Sequence, residues 1–162
     1  MFSVQAAELA EFQTLQARFE QSVTNDQAQT LRYSGSVWLK QPDLARWHYA
    51  EPIEKTIYIQ GHHVVIVEPD LFQATRFESP LSLNILEAWQ KSKPVKAGER
   101  LAIVGENRIT IQHEGGFITS VFYRDSLDNE VSIRFFEQEK NPRLEPGHFV
   151  PDIPKGFDII VH

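Results

Sequence analysis

A period-two alternation of apolar and polar residues is the feature that most constrains how this chain can fold. It is clearest at residues 33–40, and Pro42 ends it because proline cannot donate a hydrogen bond to a β-ladder. Successive side chains of a strand point to opposite faces, so the pattern predicts strands with one buried face. Shorter runs lie at residues 45–49, 57–59, 63–67, 101–104, 108–113, 117–124, 131–136 and 157–161. Together they predict an antiparallel sheet of roughly nine to eleven strands.

Two segments have the three- and four-residue spacing of amphipathic helices instead. The first predicted helix covers residues 8–23. The second is predicted to begin at Ser79-Pro80, with serine as the cap and proline at the first helical position, and to end at Lys93-Pro94. Its predicted apolar face consists of Leu81, Ile85, Leu86 and Trp89.

The predicted fold is α+β: an unclosed antiparallel β-barrel, or half-barrel, with a helical lid over an apolar cavity. The two helices need an apolar surface to lie on, and the concave face of an unclosed barrel provides one. The 162 residues are predicted to form a single domain, 1–162, because this is one domain's length and no linker or internal repeat interrupts it.

Composition and charge exclude several classes of function. Lys and Arg number 16 against 22 Asp and Glu, which gives a net charge of −6, so we expect no nucleic-acid partner. The chain has no cysteine, which excludes disulfides, thiolate metal sites and cysteine nucleophiles. The adjacent His62 and His63 would point to opposite faces of a strand, so no metal site is predicted.

Sequence motifs of catalysis and of cofactor binding are also missing. The chain has no Gly-x-Ser-x-Gly elbow, and Gly115-Gly116 lies between two predicted strands rather than ahead of a helix. We therefore predict that the protein is not an enzyme and binds no cofactor. Apolar side chains do recur at alternate strand positions, which face the same side of the sheet. A packed core explains this pattern as well as a ligand-binding wall does. These side chains are Tyr33, Val37, Leu39, Trp47, Tyr49, Ile57 and Ile59.

A family resemblance favours the ligand-binding wall. Residues 35–42 read Gly-Ser-Val-Trp-Leu-Lys-Gln-Pro, and Trp47, Tyr49 and Pro52 follow. This resembles the signature of the periplasmic outer-membrane lipoprotein carrier family, LolA, in which Gly-x-Leu-Trp-Leu-Lys-Arg-Pro precedes Trp-x-Tyr-x-x-Pro. Residues 72–75 resemble the family as well. So does the closing stretch, through Phe149, Pro151, Pro154, Gly156 and Asp158.

The resemblance implies a periplasmic carrier, or chaperone, for lipoproteins. Such a protein binds the acyl chains of lipoproteins that an inner-membrane ABC transporter releases, and delivers them to an outer-membrane receptor. It would be a monomer located in the periplasm, and its precursor would carry a signal peptide. The residues then expected to line the lipid cavity are Tyr33, Val37, Leu39, Trp47, Tyr49, Ile57, Ile59, Val65, Val67, Leu83, Leu86 and Trp89.

The resemblance also implies a latch between the lid and the barrel. The family has an arginine immediately before the proline of its first signature, and this arginine is understood to connect lid and barrel. Our chain has Gln41 at that position. We expect Gln41 to be a weaker lid latch, because an uncharged amide makes weaker hydrogen bonds than a guanidinium.

Three alternatives to the carrier stay open at this point. The outer-membrane receptor of the same pathway shares the fold, but it is normally anchored through a lipidated cysteine, and the chain has no cysteine. A half-barrel protein-interaction or sensor module is the second alternative, although such proteins usually carry a further domain. The third is a hydrolase that uses His62 or His113.

Overall fold

The computed structural model describes residues 12–79 and 84–162. Within them, one α-helix, α1, covers Ile85–Lys91, and a 3₁₀ turn covers Pro69–Leu71. The strands are β1 Thr14–Thr24, β2 Thr30–Lys40, β3 Leu44–Glu51, β4 Lys55–Gln60, β5 His63–Glu68, β6 Gln73–Glu78, β7 Lys93–Lys96, β8 Glu99–Val104, β9 Asn107–Glu114, β10 Phe117–Arg124, β11 Glu130–Lys140 and β12 Asp158–Val161.

The described strands form one open sheet of order β12-β6-β5-β4-β3-β2-β1-β11-β10-β9-β8-β7. β1 lies between β2 and β11, and hairpins extend the sheet on both sides of it. Neighbouring strands are antiparallel except β6 and β12, which are parallel. The predicted open, mostly antiparallel sheet is confirmed. The parallel pair was not predicted, because alternation determines the face of each residue but not the direction of its strand.

The first predicted helix is wrong where the structure describes it. β1 is a strand, and its buried residues Leu15, Ala17, Phe19 and Gln21 follow period two. Leu15 and Phe19 are four residues apart, a spacing that suits a helical stripe and alternate strand positions equally well. The small Ala17 and the polar Gln21 concealed the alternation. The rest of that predicted helix, up to residue 11, lies outside the described residues.

The second predicted helix is present but shorter. α1 begins after Asn84, its N-cap, rather than after Ser79. Ser79 continues the β5–β6 hairpin instead, because its backbone N–H donates to the carbonyl oxygen of His62 at 2.8 Å. Residues 80–83 lie outside the described residues. The strand β7, which directly follows the helix, was not predicted.

The two faces of the sheet carry separate hydrophobic clusters. We call the face that α1 covers the inner face, and its buried side chains form the inner cluster. The largest fully buried members are Phe12, Phe19, Val37, Trp47, Ile111 and Ile133. On the opposite, outer face, a smaller outer cluster consists of Tyr58, Val65, Val67 and Ala74, against which Ile153 and Phe157 pack.

Candidate functional site

The helix α1 packs closely on the inner face. Its Ile85 and Leu86 lie over Leu15, Val37 and Leu39 of the two central strands β1 and β2. The cavity between them has a volume of about 10 Å³. That volume suits one water molecule at most, so no acyl chain fits between these described side chains while the helix is seated.

Aromatic rings form the centre of the inner cluster. Phe19 makes edge-to-face contacts with Trp47 and with Tyr49, at centroid distances of 5.0 and 4.9 Å. Tyr49 donates its buried hydroxyl to Oε1 of Gln21 at 2.6 Å, and burial raises the pKa of Tyr49 well above the usual tyrosine value. The buried indole Nε1 of Trp47 has no hydrogen-bond partner in the described part of the chain. The inner face is therefore apolar with a few polar groups set into it.

The structure brings together most of the side chains predicted to line the cavity. Tyr33 is half-buried and packs against the inner cluster. Leu83 lies outside the described residues. The predicted residues that belong to the inner cluster are Val37, Leu39, Trp47, Tyr49, Ile57, Ile59, Leu86 and Trp89.

Val65 and Val67 do not join this group. They lie on the outer face, and the sequence-based assignment of these two residues to the same wall is wrong. The β4–β5 hairpin turns through two residues, which places Val64 opposite Ile59. Even-numbered residues of β5 therefore face inward, and odd-numbered residues face outward.

The N-terminal end of α1 is connected to the β2–β3 turn by one buried side chain. Asn84 accepts a hydrogen bond from the Glu87 N–H at 3.2 Å and donates from Nδ2 to the carbonyl oxygen of Asp43 at 3.0 Å. Gln41 lies in the same turn, where its backbone N–H donates to the carbonyl oxygen of Gln13 at 2.9 Å. The latch role of Gln41 stays a prediction.

The C-terminal end of α1 is connected to β8 by Arg100. Its Nε donates to Ser92 Oγ at 2.7 Å, and its Nη2 donates to the Ser92 carbonyl oxygen at 2.8 Å. Its guanidinium carbon lies 4.7 Å from the centre of the Trp89 ring, a cation–π contact. Burial lowers the pKa of Arg100, but an arginine starts so far above neutral pH that the group stays charged.

The exposed side of α1 has a further connection, to the β4–β5 turn. Oε1 of Glu87 lies 3.3 Å from His62 Nε2 and 2.8 Å from Lys91 Nζ. Partial burial raises the pKa of Glu87, but hydrogen bonds and charges from Lys91 and His62 outweigh it. The net pKa of Glu87 lies below its usual value, and its carboxylate is ionised at neutral pH.

Sequence reasoning missed the three polar residues that position α1. Asn84 and Glu87 have the spacing of a capping box, with a cap residue followed three positions later by a glutamate, and this signal would have located the helix start. Arg100 has no comparable signal, because it is a charged residue at an inward position of a short strand, between Glu99 and Leu101.

The described residues were also searched for a metal site and for a membrane-spanning helix. Residues 12–79 and 84–162 contain no group of three or more His, Cys, Asp or Glu side chains arranged to hold a metal ion. No helix in the same ranges is long and apolar enough to cross a membrane.

The fold and the site define a class of protein: an open, mostly antiparallel sheet with one helix packed on an apolar face. Residues 10–93 match the family described as "Outer membrane lipoprotein carrier protein LolA". The chain belongs to the LolA family.

Named relatives cover nearly the whole chain. A protein of Wolinella succinogenes named outer-membrane lipoprotein carrier protein is 36% identical over 160 residues, 96% of this chain and 92% of that protein. A protein of Campylobacter jejuni with the same name is 33% identical, with 92% of this chain and 87% of that protein covered.

Solved structures support the fold. A LolA superfamily protein from Nitrosomonas europaea has a TM-score of 0.55 at 10% identity, with 92% of this chain and 97% of that chain covered. An uncharacterized conserved protein from Thermus thermophilus has a TM-score of 0.59 at 10% identity, with both chains fully covered. At this identity the likeness establishes the fold alone.

Proposed function

We propose that this protein is a periplasmic carrier of outer-membrane lipoproteins that binds their acyl chains on the inner face after α1 has moved away. The observation that carries the proposal is the pairing of a broad apolar face with a short helix, α1, that covers it in the described part of the chain. The name and coverage of the relatives support the same function. A carrier of this kind is a binding protein and not an enzyme.

Opening the inner face has a definite energetic cost. α1 buries Ile85, Leu86, Ala88 and Trp89. Exposing a large apolar side chain costs roughly 1.5–3 kcal/mol, and the three large ones dominate. The total is on the order of several kcal/mol, so the closed arrangement is favoured when no lipid is present.

A lipid can supply more than this cost. Burial of one methylene group is worth about 0.8 kcal/mol, so an acyl chain of about sixteen carbons represents roughly 12 kcal/mol of avoided hydration. Burial of one whole chain therefore exceeds what displacement of the helix requires. Closure of the helix also favours release of the lipid, because it buries the apolar side chains of α1 again and so recovers part of the free energy that is lost when the lipid leaves.

We extend the proposal to the partners of the carrier and to its oligomeric state. We propose that an inner-membrane ABC transporter supplies the acylated lipoprotein, that an outer-membrane receptor accepts it, and that the carrier is a monomer. The connection of α1 to the sheet through side chains at both of its ends is the feature that a partner could release.

The three tryptophans of the chain allow a direct test. Trp47 and Trp89 belong to the inner cluster, whereas Trp38 lies on the outer face, 4.8 Å from the ring of His148. We suggest three variants, each with two tryptophans replaced by phenylalanine so that one tryptophan remains. Each would be titrated with a triacylated lipopeptide whose acyl chains carry bromine, a quencher of nearby tryptophan fluorescence.

The proposal predicts saturable quenching of Trp47 and Trp89 and little quenching of Trp38. The Trp38 variant is the matched control, because it reports on the same protein from the other face. Absence of saturable binding in the wild-type protein would overturn the proposed function. Stronger quenching of Trp38 than of Trp47 would show that lipid binds the outer face instead.

A further inference from the structure

Arg100 is the one buried charged side chain among the described residues. It lies on β8 with its side chain on the inner face, as do the buried Ala102 and Val104, and Ile111 is its partner on β9. Within residues 12–79 and 84–162 its guanidinium donates to Ser92 alone, and no carboxylate forms an ion pair with it. A permanent cation thus lies at an apolar surface with neutral partners.

Those partners all belong to α1 or directly follow it. Ser92 is the C-cap residue of the helix, and Trp89 supplies the ring that covers the guanidinium. Because Ser92 joins α1 to β7, displacement of the helix would remove the Trp89 ring and turn the Ser92 hydroxyl and carbonyl oxygen away from Arg100. A buried donor without an acceptor is unfavourable, and a charged donor is more so, so lipid that covers the open inner face must bring a new acceptor.

The acceptors present in the closed arrangement indicate what that group is. Arg100 donates to a hydroxyl oxygen and to a peptide carbonyl oxygen, both of them neutral. An ester or amide carbonyl at the head of an acyl chain has the same kind of oxygen. The planar guanidinium presents several donors in a fixed arrangement, so it can bind the carbonyl groups of two neighbouring chains at once.

We propose that Arg100 is a recognition site for the ester and amide carbonyl oxygens of acylated cargo, occupied by Ser92 when α1 is seated and by lipid when α1 has left. This inference rests on the proposed function. Arg100 would then distinguish acyl chains from plain hydrocarbon. An apolar wall alone cannot make this distinction.

A second polar group on the inner face supports the inference. The indole N–H of Trp47 is buried and has no acceptor in the described part of the chain. Trp47 and Arg100 therefore both offer hydrogen-bond donors to the inner face. Carbonyl oxygens, which only accept, are the polar groups that acyl chains carry.

The experiment compares two synthetic probes that carry no amide-linked acyl chain, a lipopeptide with two ester-linked chains and the same lipopeptide with two ether-linked chains. The measured quantity is the ratio of their dissociation constants, ether over ester. Loss of Arg100 would also loosen α1 and change both affinities. The ratio cancels that effect, because both probes displace the same helix.

The variants are Arg100→Met, Arg100→Lys and the control Arg108→Met. Arg108 is an exposed arginine on the neighbouring strand β9, so its replacement removes one positive charge without altering the inner face. A charge-assisted hydrogen bond is worth about 1.5–3 kcal/mol, so the wild-type ratio should be roughly tenfold or more. The Arg108→Met ratio should equal it, the Arg100→Lys ratio should be smaller, and the Arg100→Met ratio should approach one.

The outcomes separate the two proposals. If the wild-type protein binds neither probe, the proposed function fails and this inference fails with it. If it binds both probes equally, or if Arg100→Met retains the wild-type ratio, only the inference about Arg100 is overturned. Circular dichroism establishes that each variant is folded, and if Arg100→Met is not, the Arg100→Lys ratio and the wild-type ratio decide the question.

Discussion

The two faces of the sheet are covered in different ways, although each cover buries apolar side chains. On the outer face, the C-terminal segment contributes Ile153 and Phe157 and then continues into β12. Backbone hydrogen bonds pair β12 with β6, as from the Asp158 N–H to the Phe72 carbonyl oxygen at 2.9 Å. On the inner face, α1 is connected to the sheet chiefly through side chains: Asn84 reaches the β2–β3 turn, and Arg100 of β8 reaches Ser92 at the end of the helix.

The two covers differ in how easily they can separate from the sheet. A cover that continues the β-ladder is removed only by breaking a row of backbone hydrogen bonds, and it behaves as part of the sheet. A short helix that keeps its own backbone hydrogen bonds can move as a unit, because only side-chain contacts with the sheet are lost. The inner face is therefore the face on which we propose that a ligand replaces part of the protein.

The largest expected effect comes from the centre of the inner cluster. Replacement of Trp47 by alanine should lower the free energy of unfolding by about 3–5 kcal/mol, because it leaves a large cavity. Val65→Ala in the outer cluster removes two methyl groups and should cost about 1.5 kcal/mol. Urea unfolding of both variants checks this. Equal losses would contradict the view that the inner cluster is the main core of the protein.

A somewhat smaller effect is expected from Phe157→Ala. The ring of Phe157 is half-buried, packs on the outer cluster and lies 5.8 Å from the ring of Phe72. Its removal should lower the free energy of unfolding by about 1.5–3 kcal/mol. Hydrogen exchange in α1 and uptake of lipopeptide should stay at wild-type levels. A change in either would show that the two covers are coupled.

Replacement of Asn84 by alanine should act on α1 more than on the sheet. It removes both the N-cap and the hydrogen bond to Asp43, and loss of an N-cap costs about 1 kcal/mol. Amide hydrogen exchange at residues 85–91 should become several-fold faster, while exchange in β1 and β2 stays constant. Gln90→Ala, at an exposed helical position, is the control. If α1 exchanges at the wild-type rate in Asn84→Ala, Asn84 does not position the helix.

The smallest effect concerns pH. The pKa of Glu87 is depressed in the folded protein, so its contribution is present above the unfolded-state pKa and is lost as the pH falls through the folded-state value. Acidification below the ordinary value of 4.5 should therefore speed hydrogen exchange in α1, by no more than about 1 kcal/mol in opening free energy. Glu87→Gln should lack this component. An identical pH profile in both proteins would exclude Glu87 as its source.

Much of the sheet could be predicted from the sequence, since apolar and polar residues alternate along half-buried strands. The prediction fails where this alternation is ambiguous. In β1, Leu15 and Phe19 fit two periods, and only contacts with β2 and β11 on both sides select the strand. In β5, the apolar run has no alternating polar residue to show which side chains face inward. The two-residue turn of the β4–β5 hairpin determines that Val64 and not Val65 does so.

The candidate site was less predictable than the sheet. The apolar wall follows from alternation along β2 to β4, and most of its predicted residues lie together. The polar residues that position α1 depend on tertiary contacts. Arg100 contacts Ser92 because β7 and β8 form a hairpin directly after the helix. The local sequence around Arg100 does not indicate this contact.

Displacement of α1 by lipid can be measured as a change in the distance between the helix and the sheet. The chain has no cysteine, so spin labels can be attached at introduced cysteines alone, in Gln90→Cys with Lys40→Cys and in the sheet reference pair Lys40→Cys with Glu130→Cys. Pulsed electron paramagnetic resonance would measure both distances with and without a triacylated lipopeptide. If lipid displaces α1, the helix-to-sheet distance is longer with lipid and the reference distance is constant. An unchanged helix-to-sheet distance at saturating lipid would contradict this displacement.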